Sequence, residues 1–301
     1  MIYLGKELIH LVLSRETITN YEYWEMDLHV HTNASHCSSR LILDAYNESR
    51  ENDLKIVGFV DHLHEDNIIT LFERKKIIDE LDNNDELLTL LGIEIDFYKK
   101  NQDEYDLEFL SKFDIVSGAI HWLNNYPVNF FPEMKEENKV KGLKPIELRK
   151  EVLAEIKETS TEYFLDLYLG TIDSLLEHPN VEIWAHPFRS LGFLLIYDQD
   201  YLEFFYENYI SKIIKKLKET NKIFELNEGL NNSLFYRGGE FYTQKLQKKW
   251  TQFYSKVLAK ILDEDIMVVF GTDSHSNSTK IGRYNWALEV LNQANKIREE
   301  K

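Results

Sequence analysis

Apolar runs of strand length alternate with longer stretches of helical spacing along most of the chain. The predicted strands are Met26–His31, Lys55–His62, Leu87–Phe97, Phe113–Trp122, Val181–His186, Lys222–Asn227 and Ile266–Asp273. Ile56-Val57-Gly58-Phe59-Val60 and Met267-Val268-Val269-Phe270 are unbroken, as in strands covered on both faces. Helices are expected over about Leu41–Asn52, Asn67–Asn83, Pro145–Leu176, Tyr201–Glu219, Glu240–Asp263 and Arg283–Arg298. Strands alternating with helices predict βα units and a parallel sheet. Seven such strands predict an α/β barrel related to, but distinct from, the common eightfold one.

Two segments break the pattern. Asn124–Leu143 holds Pro127, Pro132, Gly142 and several aromatics, then a Lys/Glu-rich run, and is expected to form a long loop or lid over the barrel mouth. Residues 1–25 carry β-prone clusters and read as an N-terminal extension packed on the barrel. With no repeat and no low-complexity linker, residues 1–301 are expected to form one domain.

Chemistry-bearing residues gather where the predicted strands end. They are His29 and His31 in Asp27-Leu28-His29-Val30-His31-Thr32, Asp61-His62, Glu94 after Gly92, His121, His186 before Pro187, and Asp273 and His275. His36 follows the first pair closely. The C-terminal face of the strands is where α/β barrels place their active sites. Residues i and i+2 of a strand point the same way, so His29 with His31, and Asp273 with His275, can each reach one ion. Glu94 in an apolar strand is costly unless paired or ligating, and its two oxygens can bridge two ions. Taken singly, each residue has an ordinary structural explanation: a core histidine, a helix cap at Asp273-Ser274, a buried salt bridge at Glu94. Nine imidazole and carboxylate groups together predict two or three divalent ions of the Zn, Mn or Fe type.

Composition narrows the class. Apolar residues make up 43 % of the chain, enough for a sizeable core, and the single Cys37 excludes an intramolecular disulfide. The run Ile9 to Leu13 is too short for a signal core, and nothing approaches the ~20 apolar residues of a membrane span. A cytoplasmic protein with no membrane partner is expected. A net charge of −17 disfavours a nucleic-acid partner, since phosphate-gripping proteins normally show a basic face.

The ordered set Asp27-Leu28-His29-Val30-His31-Thr32, Asp61-His62, Gly92-Ile93-Glu94, His121, His186-Pro187 and Asp273-Ser274-His275 resembles the PHP family, named for polymerases and histidinol phosphatases. The resemblance spans roughly residues 26–290. It implies a distorted (β/α)7 TIM-like barrel with a metal site at the C-terminal ends of the strands. It implies a first ion at His29, His31, Glu94 and Asp273, and a second at Glu94, His121 and His186. A third would sit at His62, His275 and His36, where many members carry Asp.

Ser117-Gly118-Ala119-Ile120-His121-Trp122 and Phe224-Glu225-Leu226-Asn227-Glu228-Gly229-Leu230 are most similar to the histidinol-phosphatase branch. The arginine expected after Leu230 is replaced by Asn231 and Asn232, leaving Arg189 and Arg237 as candidates to hold substrate phosphate. The implied activity is hydrolysis of a small phosphate monoester by metal-activated hydroxide. Glu94 and Asp273 would serve it through the ions, and Asp61 by orienting water or relaying a proton. Two alternatives stand beside it. One is a nuclease or phosphodiesterase stacking bases on Tyr126–Phe131 and Tyr236–Tyr242. The other is a non-catalytic metal-binding partner module.

Overall fold

A computed structural model of the chain describes residues 21–63, 67–81, 87–97, 107–123, 126–127, 161–191, 200–231, 243–276 and 280–301. Most of the N-terminal extension, most of the 124–143 loop, Tyr236–Tyr242 and Arg237 lie outside the described residues.

Seven strands form one sheet: β1 Met26–Val30, β2 Ile56–His62, β3 Leu88–Asp96, β4 Ile115–Ala119, β5 Ile183–Trp184, β6 Ile223–Asn227 and β7 Val268–Gly271. Neighbours in sequence are neighbours in space, and every pair is parallel. The ring closes where Asp273 N donates to His29 O at 2.8 Å and His31 N donates to Ser274 O at 3.0 Å. Between strands run α1 Ile42–Glu51, α2 Ile68–Leu81, α3 Thr161–Glu177, α5 Gln244–Asp263 and, after β7, α6 Trp286–Glu299. The helix α4 joins Tyr201–Phe205, a π-turn at Tyr206–Ile210, and Ser211–Glu219. The fold is the expected (β/α)7 TIM-like barrel.

The apolar runs divide into two cores. Met26, Leu28, Ile56, Val60, Leu90, Ile115, Ile183, Ile223 and Val269 fill the barrel interior below the mouth. Val57, Phe59, Leu91, Ile93, Phe224 and Phe270 face outward and pack against helix residues such as Leu71, Trp250 and Tyr254. Burial of each large apolar side chain stabilises the fold by roughly 1.5–3 kcal/mol.

Strict alternation fails in β1. Its register against β2 slips by one residue between Asp27 and Val30. Met26 and Leu28 point into the barrel, while Val30 belongs to the outer core. The inserted residue is a β-bulge, which re-aims the chain beyond it. As a result His29 and His31 enter the same interior that Met26 and Leu28 occupy, and Asp27 points outward.

Several predicted strands run past the observed ones at the mouth, while those ending at His62 and Asn227 end as expected. Pairing in β5 covers only Ile183–Trp184, because His186 (φ 29°) and Phe188 (φ 65°) adopt left-handed backbone. Past the end of β7, Asp273 (φ 51°) does the same. This geometry costs a non-glycine residue roughly 1–2 kcal/mol, and such conformations concentrate at functional sites. Both residues leave the strand direction there, with His186 2 % and Asp273 8 % exposed.

Candidate metal centre

The strand ends bring His29, His31, His62, Glu94, His121, His186, Asp273 and His275 to one place. Glu94, near the mouth end of β3, is 1 % exposed and lies between two sets of imidazoles. Its Oε1 is 2.7 Å from His186 Nε2 and 3.6 Å from His121 Nε2. Its Oε2 is 3.6 Å from His31 Nε2, 3.7 Å from His29 Nε2 and 3.1 Å from His62 Nδ1. One oxygen faces each set, as in a carboxylate shared by two cation positions.

Within each set, ring nitrogens crowd face to face. His29 Nε2 and His31 Nε2 are 3.1 Å apart, and His121 Nε2 and His186 Nε2 are 3.2 Å apart. Asp273 Oδ1 lies 3.2 Å from His31 Nε2 and 3.8 Å from His29 Nε2. Among the described residues, the groups whose donor atoms all lie within 4.8 Å of one another are His29/His31/Glu94, Glu94/His121/His186, His62/Asp96/His121 and His31/Cys37/His62/His275.

Further carboxylates hold these side chains in place. Glu225 of β6 accepts from His29 Nδ1 at 2.9 Å, from Asn227 Nδ2 at 2.9 Å and from the His186 backbone N–H. A carboxylate on one ring nitrogen fixes the tautomer and leaves the other as the ligand. Asp96 pairs with His121 Nδ1 in the same manner. Asp27 accepts from Thr272 N (3.0 Å), Thr272 Oγ1 (2.7 Å) and Gly282 N (3.0 Å), which fastens β1 to the segment carrying Asp273. Glycine at 271 is required by this layer: a Cβ there would stand 2.0 Å from Glu225 Oε1 and 2.6 Å from His29 Cβ.

Burial and charge sort the protonation states. Burial opposes ionisation of Glu94, but His62, His121 and His29 outweigh it and hold the carboxyl well below its ordinary value. Burial likewise opposes Asp273, and His275, His31, His29 and Arg189 hold it well below. Burial lowers His31 well below its ordinary value and takes His62 down to about 4. His186 is lowered for the same reason. For His29 the burial effect is overcome by Glu225 and Glu94, which raise it well above. The cluster thus offers ionised carboxylates beside neutral His31, His62 and His186, the protonation states that metal ligation requires, while at His121, as at His29, neighbouring carboxylates outweigh burial and raise the ring.

The other sequence-predicted residues have different surroundings. His36 and Cys37 are both exposed, and of the two only Cys37 belongs to a donor group among the described residues, with His31, His62 and His275. Asp61 accepts from Thr32 N (2.7 Å), Thr32 Oγ1 (2.6 Å) and Ser35 Oγ (2.7 Å), so both oxygens anchor the loop after β1 rather than face a water. Arg189 reaches the cluster, its Nη1 donating to Asp273 Oδ2 at 3.2 Å while its buried Nε has no hydrogen-bond partner among the described residues. Its presumed companion Arg237 is outside the described residues. Sequence reasoning passed over Glu225 and Asp96. Both carried the signal that singled out Glu94, a carboxylate within an apolar strand.

The donor set fits divalent ions. Glu94 Oε2 is buried and accepts no hydrogen bond among the described residues, an acceptor that a cation would satisfy. Imidazole and carboxylate groups in this number suit Zn, Mn or Fe. Among the described residues no helix is long and apolar enough to cross a membrane.

The PHP domain model matches residues 27–229. Among solved structures, histidinol phosphate phosphatase from Lactococcus lactis, complexed with zinc, L-histidinol and phosphate, is similar with a TM-score of 0.52 and 18 % identity. The match covers 91 % of this chain and 92 % of that one. At that identity the likeness concerns the fold. None of the curated protein sequences matches the chain.

Proposed function

The chain belongs to the PHP family, and on that premise we propose that it is a metal-dependent phosphoesterase acting on a small phosphate monoester, as histidinol phosphatases do. The observation that carries this is Glu94, whose two oxygens face separate imidazole sets. Two ions sharing a carboxylate suit in-line displacement at phosphorus. When bound, such ions supply positive charge for the phosphate oxygens and lower the pKa of a water.

The protein's own residues do the rest. His29, His31 and Asp273 hold one side, His121 and His186 the other, and His62 with His275 the rim. Arg189, steadied by Asp273, offers its unpartnered Nε–H to a phosphate oxygen as a charge-assisted donor. Asp61 acts as a positioning residue, pinning the 32–35 loop over the site. The similar structure holds L-histidinol and phosphate, which supports histidinol phosphate as the first substrate to try. The net charge of −17 favours a small substrate over a nucleic-acid strand.

The test is release of inorganic phosphate from histidinol phosphate by zinc- or manganese-loaded protein. Rapid release that disappears in Glu94→Ala supports the proposal. A loaded protein that cleaves an oligonucleotide but no monoester overturns it.

A further inference from the structure

We propose that the Cys37 thiolate is a ligand of the rim ion position, beside His62 and His275, and that it makes this position prefer zinc-like ions over manganese. The proposal depends on the cluster being a metal centre, as argued above.

Cys37 sits on a loop tied at both sides. Ser35 Oγ donates to Asp61 Oδ1 at 2.7 Å, and Ser38 Oγ donates to His275 O at 2.8 Å. The loop is therefore fastened to the strand ends that carry His62 and His275. Sγ of Cys37 lies with the ligand nitrogens of His31, His62 and His275, all within 4.8 Å of one another. His275 Nδ1 is 2.7 Å from the Asp273 carbonyl oxygen, which can only accept. Nδ1 must be the donor, and Nε2 then carries the lone pair for an ion. Glu94 Oε2, 1 % exposed and 3.1 Å from His62 Nδ1, adjoins this group and accepts no hydrogen bond among the described residues.

His31 Nε2 faces His29 and Asp273 and serves the inner position. That leaves one sulfur and two nitrogens at the rim, with a fourth position open to water or a phosphate oxygen. Three protein ligands and an open position are the usual form of a catalytic zinc site. The inner positions carry nitrogen and oxygen only. Thiolate is the softest ligand of the cluster and selects zinc or cobalt over manganese. Binding is balanced simply: the thiol and a divalent ion give a sulfur–metal bond and one proton released to solvent.

Cys37 is the only cysteine in the chain, so a thiolate signal has one possible source. Cobalt-loaded full-length protein should show a near-ultraviolet thiolate-to-cobalt band. The band should vanish in Cys37→Ser and in Cys37→His, with Cys37→His keeping the wild-type ion count. Wild-type protein should also bind one manganese fewer than zinc, and Cys37→His should narrow that gap. In wild-type protein alone, bound zinc should slow alkylation of the thiol at least tenfold. No band in protein shown to hold two or more cobalt ions, or equal alkylation with and without zinc, overturns the proposal. These signals need no substrate. A band without phosphate release refutes the phosphoesterase and leaves the thiolate; phosphate release without the band does the reverse.

Discussion

Replacing Glu225 by Gln removes one charge and changes one atom in a layer that is 1 % exposed. Glu225 receives three donors: His29 Nδ1 and Asn227 Nδ2, each at 2.9 Å from Oε1, and the His186 N–H on Oε2. A glutamine can satisfy only one side. With its oxygen toward His29, its NH2 meets the His186 N–H; turned round, it meets His29 and Asn227. At least one buried donor is left without an acceptor, at about 1–3 kcal/mol. Loss of a carboxylate behind a metal-bound histidine typically costs about 10–100-fold in affinity, or roughly 1.4–2.8 kcal/mol. The two magnitudes agree. Glu225→Gln should therefore bind the first zinc about 10–100-fold more weakly, measured by competition with a chromophoric chelator, while keeping a native circular-dichroism spectrum. Wild-type affinity in this variant, with Glu94→Ala clearly weakened in the same assay, would refute the view that Glu225 sets the tautomer of His29.

Gly271→Ala forces a Cβ into the same layer, 2.0 Å from Glu225 Oε1; overpacking there should cost about 1–3 kcal/mol, read as a lower urea midpoint, and an unchanged midpoint contradicts the packing described. Arg189→Ala should lower kcat/KM for the phosphate substrate roughly 10–100-fold, the worth of a charged hydrogen bond, with bound metal unchanged; full activity would remove Arg189 from phosphate binding. Glu182, whose carboxylate accepts from Val116 N at 2.7 Å, is pushed up from 4.5 to about 7 by burial. Its folded state binds a proton more tightly than its unfolded state, so this group's contribution to stability falls as pH rises from 4.5 to 7 and is flat above. Glu182→Gln should thus be more stable than the parent at pH 8, by about 1–2 kcal/mol after allowance for partial exposure. The two should converge near pH 4.5 in urea melts; an equal gain at both pH values would show that the group does not titrate there.

The barrel was legible because buried parallel strands announce themselves as unbroken apolar runs, such as Ile56 to Val60 and Met267 to Phe270. The candidate cluster was legible because a histidine or carboxylate ending such a run has few other reasons to be there. Backbone irregularity was not legible. Nothing in Asp27-Leu28-His29-Val30 marks the bulge that turns both histidines inward, since every residue tolerates either side. The left-handed turns at His186 and Asp273 were hidden for the same reason: the apolar pattern continues through Ala185 and Gly271. His36 and Cys37 are adjacent in a loop, where no periodicity marks which side chain joins the cluster; Cys37 does so, although both are exposed. Glu225 and Asp96 could have been found by asking of every strand carboxylate what was asked of Glu94.

Metal-stripped protein should be titrated with zinc while bound ions and phosphate release are counted together. Activity that is absent without metal, appears only once the second ion binds and saturates at two or three ions per chain is the predicted result. Full activity in the presence of excess chelator, or with no more than one ion bound, would contradict a multinuclear centre bridged by Glu94.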